Sequence, residues 1–331
     1  MKTAHCLDQM PPYLFAEIDK KKAALEKSGI DVISLGIGDP DLPTPDFIVD
    51  AMAEAIRDPR NHRYPDYEGS PEYRQACARW MKKRFGVDVD PDTEVLALIG
   101  SKEGIAHLHT AYVDPGDYVL VPGIGYPVYS GGAVLQSANS YYMHMGADND
   151  FLADFSQVPD EVLAKTKIMF IGYPNNPTSA IATEEYFDRA IAFCRAHDIL
   201  LAHDNAYSEI TYDGYIAPSI LERPGAKDVC IEFFSLSKMF NMTGWRIGFA
   251  VGNPEAIYAL GTIKNNLDSG QFNAIQQAAA VALDSDQKSI VEMREVYTRR
   301  RDLIIDALHT IGIDCEPPRA TIYVWAKVPD G

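Results

Sequence analysis

Between residue 46 and about residue 250, short apolar runs ended by glycine, proline, asparagine or aspartate alternate with longer stretches at helical spacing. The runs at 94–99, 117–121, 140–145, 167–172, 199–202 and 229–234 have the length and apolar content of buried strands. The stretches at 46–57, 70–85, 100–112 and 183–197 have apolar residues on one helical face, and Tyr126-Pro127 opens one more. Such alternation predicts an α/β fold with a mostly parallel central sheet covered on both sides. Ahead of it come an arm with Pro11 and Pro12, a helix over 15–28 and a short strand over 31–35. After it come helical patterns at 254–264, 273–283 and 286–310 and a strand over 322–328. The expected organisation is an arm and part of a small discontinuous α+β domain in 1–45, a large domain in 46–284, and the rest of the small domain in 285–331. That last segment stops on a turn, as a truncated domain would.

Ligands of open α/β sheets bind beyond the carboxyl ends of the strands, so the residues closing each apolar run are the candidates for chemistry. Residues 232–252 read EFFSLSKMFNMTGWRIGFAVG. The first run closes on Ser235, Leu236, Ser237 and Lys238, and a glycine-bearing loop carries Arg246 into the second run, 245–251. Lysine is seldom buried without a purpose. Two hydroxyls just before a lysine and an arginine eight positions after it match a cofactor lysine beside a phosphate clamp. Lys238 would form a Schiff base with pyridoxal phosphate, while Ser235, Ser237 and the planar fork of Arg246 hold the phosphate.

Three more strand ends supply matching groups. Gly100-Ser101-Lys102 follows a strand and begins a helix, which leaves free N–H groups and a positive dipole end for an anion. Residues 173–178, YPNNPT, can only be a loop, and they place Asn176 at a strand end. The run 199–202 delivers His203, Asp204, Asn205, Ala206 and Tyr207. The ring nitrogen of the cofactor must stay protonated to draw electrons, and a carboxylate beside it favours that charge; Asp204 is placed for this. Tyr207 and Asn176 would donate to the ring's phenolic oxygen, Tyr126 would stack on the ring, and Lys238 would move a proton once released. Taken singly, Asp204 reads as a turn cap, Asn176 as a turn residue and both tyrosines as aromatics at the core edge. The joint pattern points to the cofactor. The eight histidines show no ligand spacing and read as structural, and no metal is expected.

Asn176-Pro177-Thr178, Asp204-Asn205-Ala206-Tyr207 and Ser235-Leu236-Ser237-Lys238 with Arg246 resemble the motifs of the class I/II aminotransferases of fold type I, over nearly the whole chain. Residues 11–19, 35–45, 62–69 and 100–108 look most like the LL-diaminopimelate aminotransferases within that family. The resemblance implies a homodimer with active sites at the subunit interface. Tyr64 would reach the neighbour's cofactor phosphate, and Ser269 would approach from the same side. Tyr13 and Gly38 match positions lining the substrate pocket, with Lys102, Tyr126 and Asn176 beside it. It also implies further residues beyond Gly331 that carry an arginine for the substrate α-carboxylate. Arg294, Arg299, Arg300, Arg301 and Arg319 do not match its motif, so the chain reads as a fragment or as impaired in activity. Plant-type diaminopimelate enzymes carry a glutamate where Tyr67 stands here, with Glu68 next to it.

The reaction expected is ping-pong amino transfer between an amino acid, LL-diaminopimelate first, and 2-oxoglutarate. A carbon–sulfur β-lyase on the same fold and a non-catalytic regulatory domain holding the same cofactor are the alternatives. With 30 basic against 47 acidic residues the net charge is −17, which argues against nucleic acid or an anionic membrane as partner. No apolar run approaches the ~20 residues that span a bilayer. Five scattered cysteines without a CxxC pair read as reduced thiols of a cytoplasmic protein.

Overall fold

Each apolar run between residues 94 and 252 forms a strand of one seven-stranded sheet, and each intervening helical stretch packs on one of its faces. The computed structural model describes residues 1–10, 14–36 and 38–329. The chain starts with α1 (Cys6–Gln9), which buries nothing, and α2 (Leu14–Lys27). Then come α3 (Asp46–Ala55), α4 (Pro71–Phe85), β1 (Val95–Leu98), α5 (Ser101–Tyr112), β2 (Tyr118–Pro122) and α6 (Val128–Leu135). β3 (Asn139–Met143), α7 (Asp160–Leu163), β4 (Thr166–Ile171), α8 (Glu184–His197) and β5 (Leu200–Asp204) follow. β6 (Cys230–Ser235) runs straight into α9 (Leu236–Met239), and β7 (Gly248–Gly252) precedes α10 (Pro254–Leu267), α11 (Asn273–Asp284) and α12 (Lys288–Thr310).

Local chemistry accounts for the element ends. The Ser70 hydroxyl accepts from the Tyr73 N–H at 3.3 Å, Pro71 occupies the first turn of α4, and Gly86 closes the helix in the left-handed region. The Thr183 hydroxyl caps α8 in the same way, accepting from the Tyr186 N–H at 3.2 Å. Helix α4 buries Tyr73, Cys77, Trp80 and Met81, and Trp80 meets Phe234 and Phe249 of the sheet edge-on.

The strand order is β1-β7-β6-β5-β4-β2-β3. Only β7 runs against its neighbours; the pairs β6–β5, β5–β4, β4–β2 and β2–β3 are parallel. One core lies on each side: Ile105, Leu108 and Leu260 belong to the side of α5, α6 and α10, and Trp80, Phe187 and Leu283 to the other.

Two expected strands do not form. Residues 31–35 and 322–328 form no strand and join no ladder among the described residues. Ile33 and Leu35 are 85% and 82% exposed. Strand propensity alone does not hold a strand that has no partner alongside it. The approach to 322–328 is nonetheless anchored, because Thr321 N–H donates to the Ile210 carbonyl and Tyr212 N–H to that of Arg319, both at 2.9 Å.

Candidate active site

Because β1, β2, β4, β5 and β6 all point one way, their carboxyl ends share one edge of the sheet. β7 points the other way, so its start, just after Arg246, reaches that same edge; Gly248 pairs with both Leu98 and Ser235. A cavity of about 400 Å³ opens there. The topology therefore brings five distant segments to one hollow.

From β6 come Ser235, Ser237 and Lys238. The Ser235 hydroxyl accepts from the Ser237 N–H at 3.3 Å, turning the strand into α9 and pointing Lys238 inward. Lys238 Nζ donates to the Gly38 carbonyl at 3.2 Å and lies 5.9 Å from the centre of the Tyr207 ring. Burial lowers its pKa, against the pull of the Asp39 carboxylate. From β1 come Ser101 and Lys102, the first residues of α5. The preceding Gly100 has φ +79°, and a Cβ there would strike the Arg246 guanidinium, so glycine lets that cation lie against the helix start. Arg246 is itself in the left-handed region, φ +54°, a conformation that non-glycine residues adopt at a cost. Hydroxyls, helix N–H groups and a guanidinium converge into an anion-binding corner.

From β5 come Asp204 and Tyr207. Burial raises the Asp204 carboxyl to about 6, opposed by a hydrogen bond from Tyr129 and the nearby His203 and Lys238. The Tyr129 hydroxyl donates to Asp204 Oδ2 at 2.9 Å, whereas buried Oδ1 has no partner. The Tyr207 and Tyr323 hydroxyls lie 2.8 Å apart, and the Tyr323 ring also packs on Gly38. Asn176 reaches the cavity from the loop after β4, which Asn175 braces by donating to the Gly172 carbonyl at 3.1 Å and accepting from Thr178 Oγ1 at 2.8 Å. Tyr126 comes from the loop after β2, with Lys102 Nζ 5.8 Å from its ring centre.

The expected residues on the sheet edge thus line one cavity, as does Gly38. Tyr64 and Ser269 do not: both are exposed and lie outside it. The loops that carry them do meet, since Gly270 lies against Pro65 and the Asp66 carbonyl. Tyr13 falls outside the described residues. Arg294 pairs with Glu209, Arg300 with Asp41 and Arg301 with Asp213, and none of the five C-terminal arginines lines the cavity.

Tyr129, Tyr323, Asp19 and Asp39 also line the cavity and were not expected there. Tyr129 stands three positions after Tyr126, which hints at a shared direction, but its partner is 75 residues away. Tyr323 lay hidden in a run that reads as a strand. His203 has a structural place: buried, with Nδ1 2.8 Å from Glu232 Oε1. A separate polar cluster of Glu103, His107 and Asp268 surrounds the Lys264 ammonium, which pairs with both carboxylates.

A lysine amine, an anion-binding corner and a buried carboxylate with one open acceptor are groups that could hold a phosphate-bearing cofactor. The model of the family described as aminotransferase class I and II matches residues 30–330, and the chain belongs to that family. It is 52% identical to LL-diaminopimelate aminotransferase 2 of Trichormus variabilis over 100% of this chain and 85% of that protein. It is also 52% identical to the LL-diaminopimelate aminotransferase of Moorella thermoacetica, with the same coverage. Among solved structures, apo-BacF from Bacillus subtilis superposes with a TM-score of 0.96 at 38% identity, covering 100% of this chain and 84% of that one. A probable N-succinyldiaminopimelate aminotransferase from Thermus thermophilus gives 0.89 at 38% identity, covering 96% and 85%. The fold is that of the fold type I aminotransferases, and the chain is an aminotransferase acting on small amino and oxo acids. Those relatives favour neither the lyase nor the regulatory alternative.

Proposed function

We propose that the chain holds pyridoxal 5′-phosphate on Lys238 and transfers an amino group between LL-diaminopimelate and 2-oxoglutarate. The observation that carries the cofactor reading is Asp204: a buried carboxylate whose Oδ1 has no hydrogen-bond partner among the described residues is costly unless a cation or donor meets it. A protonated pyridine nitrogen would meet it. When bound, the cofactor supplies an aldehyde that captures amines and a ring that draws electrons from the substrate's Cα.

The residues around it then have distinct tasks. Ser101, Ser235, Ser237, Arg246 and the start of α5 would bind the phosphate, and Asp204 would keep the ring nitrogen protonated. Tyr207 and Asn176 would donate to the phenolic oxygen, and Tyr126 would cover the ring face. Lys238, its pKa lowered by burial, is suited to accept the substrate Cα proton and return it. Lys102 together with Asp19 and Asp39 gives the cavity both charges, which suits a substrate with an amino and a carboxylate group at its far end. The names of the relatives that match at 52% identity support the same substrate.

The working form would be a cytoplasmic homodimer in which Tyr64 and Ser269 of one copy complete the other copy's site; no described helix is long and apolar enough to cross a membrane. Residues 46–284 would form the cofactor-binding domain, with 1–45 and 285–331 contributing to the smaller one. Tyr13 would join Gly38 at the substrate end.

Adding glutamate to the cofactor-loaded protein should convert the absorbance of the aldehyde form to that of pyridoxamine phosphate. Lys238→Ala should abolish this conversion while preserving the fold. A loaded wild type whose spectrum does not respond would remove the transfer reading, and a faster half-reaction with aspartate than with LL-diaminopimelate would remove the substrate.

A further inference from the structure

Of the two Asp204 carboxylate oxygens, only Oδ2 has a side-chain hydrogen-bond partner among the described residues, while the Ala206 backbone N–H also favours the charged form. The side-chain partner is the Tyr129 hydroxyl, at 2.9 Å from Oδ2. Tyr129 is 4% exposed and held from three directions. Its ring stacks on Phe170, with centres 5.2 Å apart and planes 10° from parallel. Its carbonyl lies 2.8 Å from His109 Nε2, and the His109 ring stacks on the same Phe170. Finally, Gly172 leaves room for the hydroxyl, since a Cβ there would sit 2.8 Å from it.

From this geometry we infer that Tyr129 is a positioning residue for the cofactor's ring nitrogen, acting through Asp204: it occupies Oδ2 and leaves Oδ1 free to face the ring. A phenol suits the task. Burial keeps its pKa well above the ordinary value, so at neutral pH it is always a donor and never competes as an anion. Its hydrogen bond favours the carboxylate over the carboxylic acid, which leaves the shared proton on the ring. The other titratable groups facing Asp204 are Lys238 from α9, His203 from its own strand, and Tyr207 and Tyr323 beyond it.

This inference rests on the cofactor reading above, and its test separates the two. Wild type and Tyr129→Phe are loaded with pyridoxal phosphate carrying the heavy nitrogen isotope in its ring. Nuclear magnetic resonance reports ring protonation, and equilibrium dialysis reports cofactor affinity. Wild type should show a protonated ring. Tyr129→Phe should move the resonance toward neutral pyridine and bind the cofactor about tenfold more weakly, the effect of losing a hydrogen bond to a charged group. In an Asp204→Asn background the same change should have no further effect, because the carboxylate it acts through is gone. A wild-type resonance and affinity in Tyr129→Phe would overturn the inference, as would an equal loss in both backgrounds. If Tyr129→Phe does not fold, a ring-fluorinated tyrosine at 129, a stronger donor, should tighten cofactor binding; unchanged affinity would likewise overturn it. A wild type that takes up no cofactor would overturn the cofactor reading itself.

Discussion

Asp204 is placed where a charge is expensive until something arrives to balance it. Burial raises its carboxyl to about 6 in the cofactor-free chain, against about 3.9 for an unfolded aspartate. A carboxyl that binds its proton more tightly in the native state stabilises the fold below both values and loses that contribution as pH climbs from the lower to the higher. Without cofactor, Asp204→Asn should therefore be more stable than wild type at pH 8, by about 3 kcal/mol. The gap should close toward pH 4. With cofactor the order should reverse, because the variant has lost the counter-charge. Urea titrations at both pH values, with and without cofactor, would check this; a cofactor-free gap that does not change with pH would contradict it. The role of Asp204 is legible in the sequence only through the joint pattern with Lys238, Arg246 and Tyr207, since taken singly it reads as a turn cap. Its hydrogen-bond partner is not legible. Tyr129 reaches it only because β4 lies between β2 and β5, and that strand order is written nowhere near either residue.

At the level of elements, β5 and β6 are joined behind the site by a buried polar knot. Their register places His203 opposite Glu232. The fully buried Glu232 carboxylate accepts from Asn205 Nδ2 at 2.8 Å, from the Ile220 N–H at 3.3 Å and from the Ser219 hydroxyl, and lies 2.8 Å from His203 Nδ1. His203 Nε2 in turn lies 3.0 Å from the Tyr173 carbonyl after β4. Side chains alternate along a strand, so this knot on one face sets where Asp204 emerges on the other. Glu232→Ala would leave its donors unsatisfied in the core. It should cost about 3 kcal/mol of stability and weaken cofactor binding although Glu232 does not line the cavity. Denaturant unfolding and equilibrium dialysis would show both effects; unchanged cofactor affinity would mean that the knot braces the sheet without aligning the site. Six of the seven strands are readable from apolar runs because each is short and largely buried on both faces, whereas β3, at the sheet's edge, is mostly exposed or half-buried. The runs at 31–35 and 322–328 look alike locally, but a strand is completed by a neighbour, and the local pattern does not say whether one is present.

At the scale of the whole molecule, we propose that Tyr64 and Ser269, which do not line their own chain's cavity, serve the site of a second copy. Tyr64 is 85% exposed in the single chain. Its loop lies against the loop carrying Ser269, so a second copy could carry both loops together to its neighbour's anion-binding corner. A two-fold dimer would present this pair of loops twice, each copy completing the other. Complementation tests the arrangement directly. Tyr64→Glu would set a negative charge beside the partner's cofactor phosphate and disable that site, and Lys238→Ala would disable its own. Each variant alone should be inactive. A mixed dimer places both defects in one site and none in the other, so random exchange of equal amounts should restore about a quarter of wild-type activity. If Tyr64 instead served its own chain, every site of the mixed dimer would carry one defect and mixing would restore nothing. Dimer formation by both variants, checked by light scattering, would make that second result decisive against a shared site.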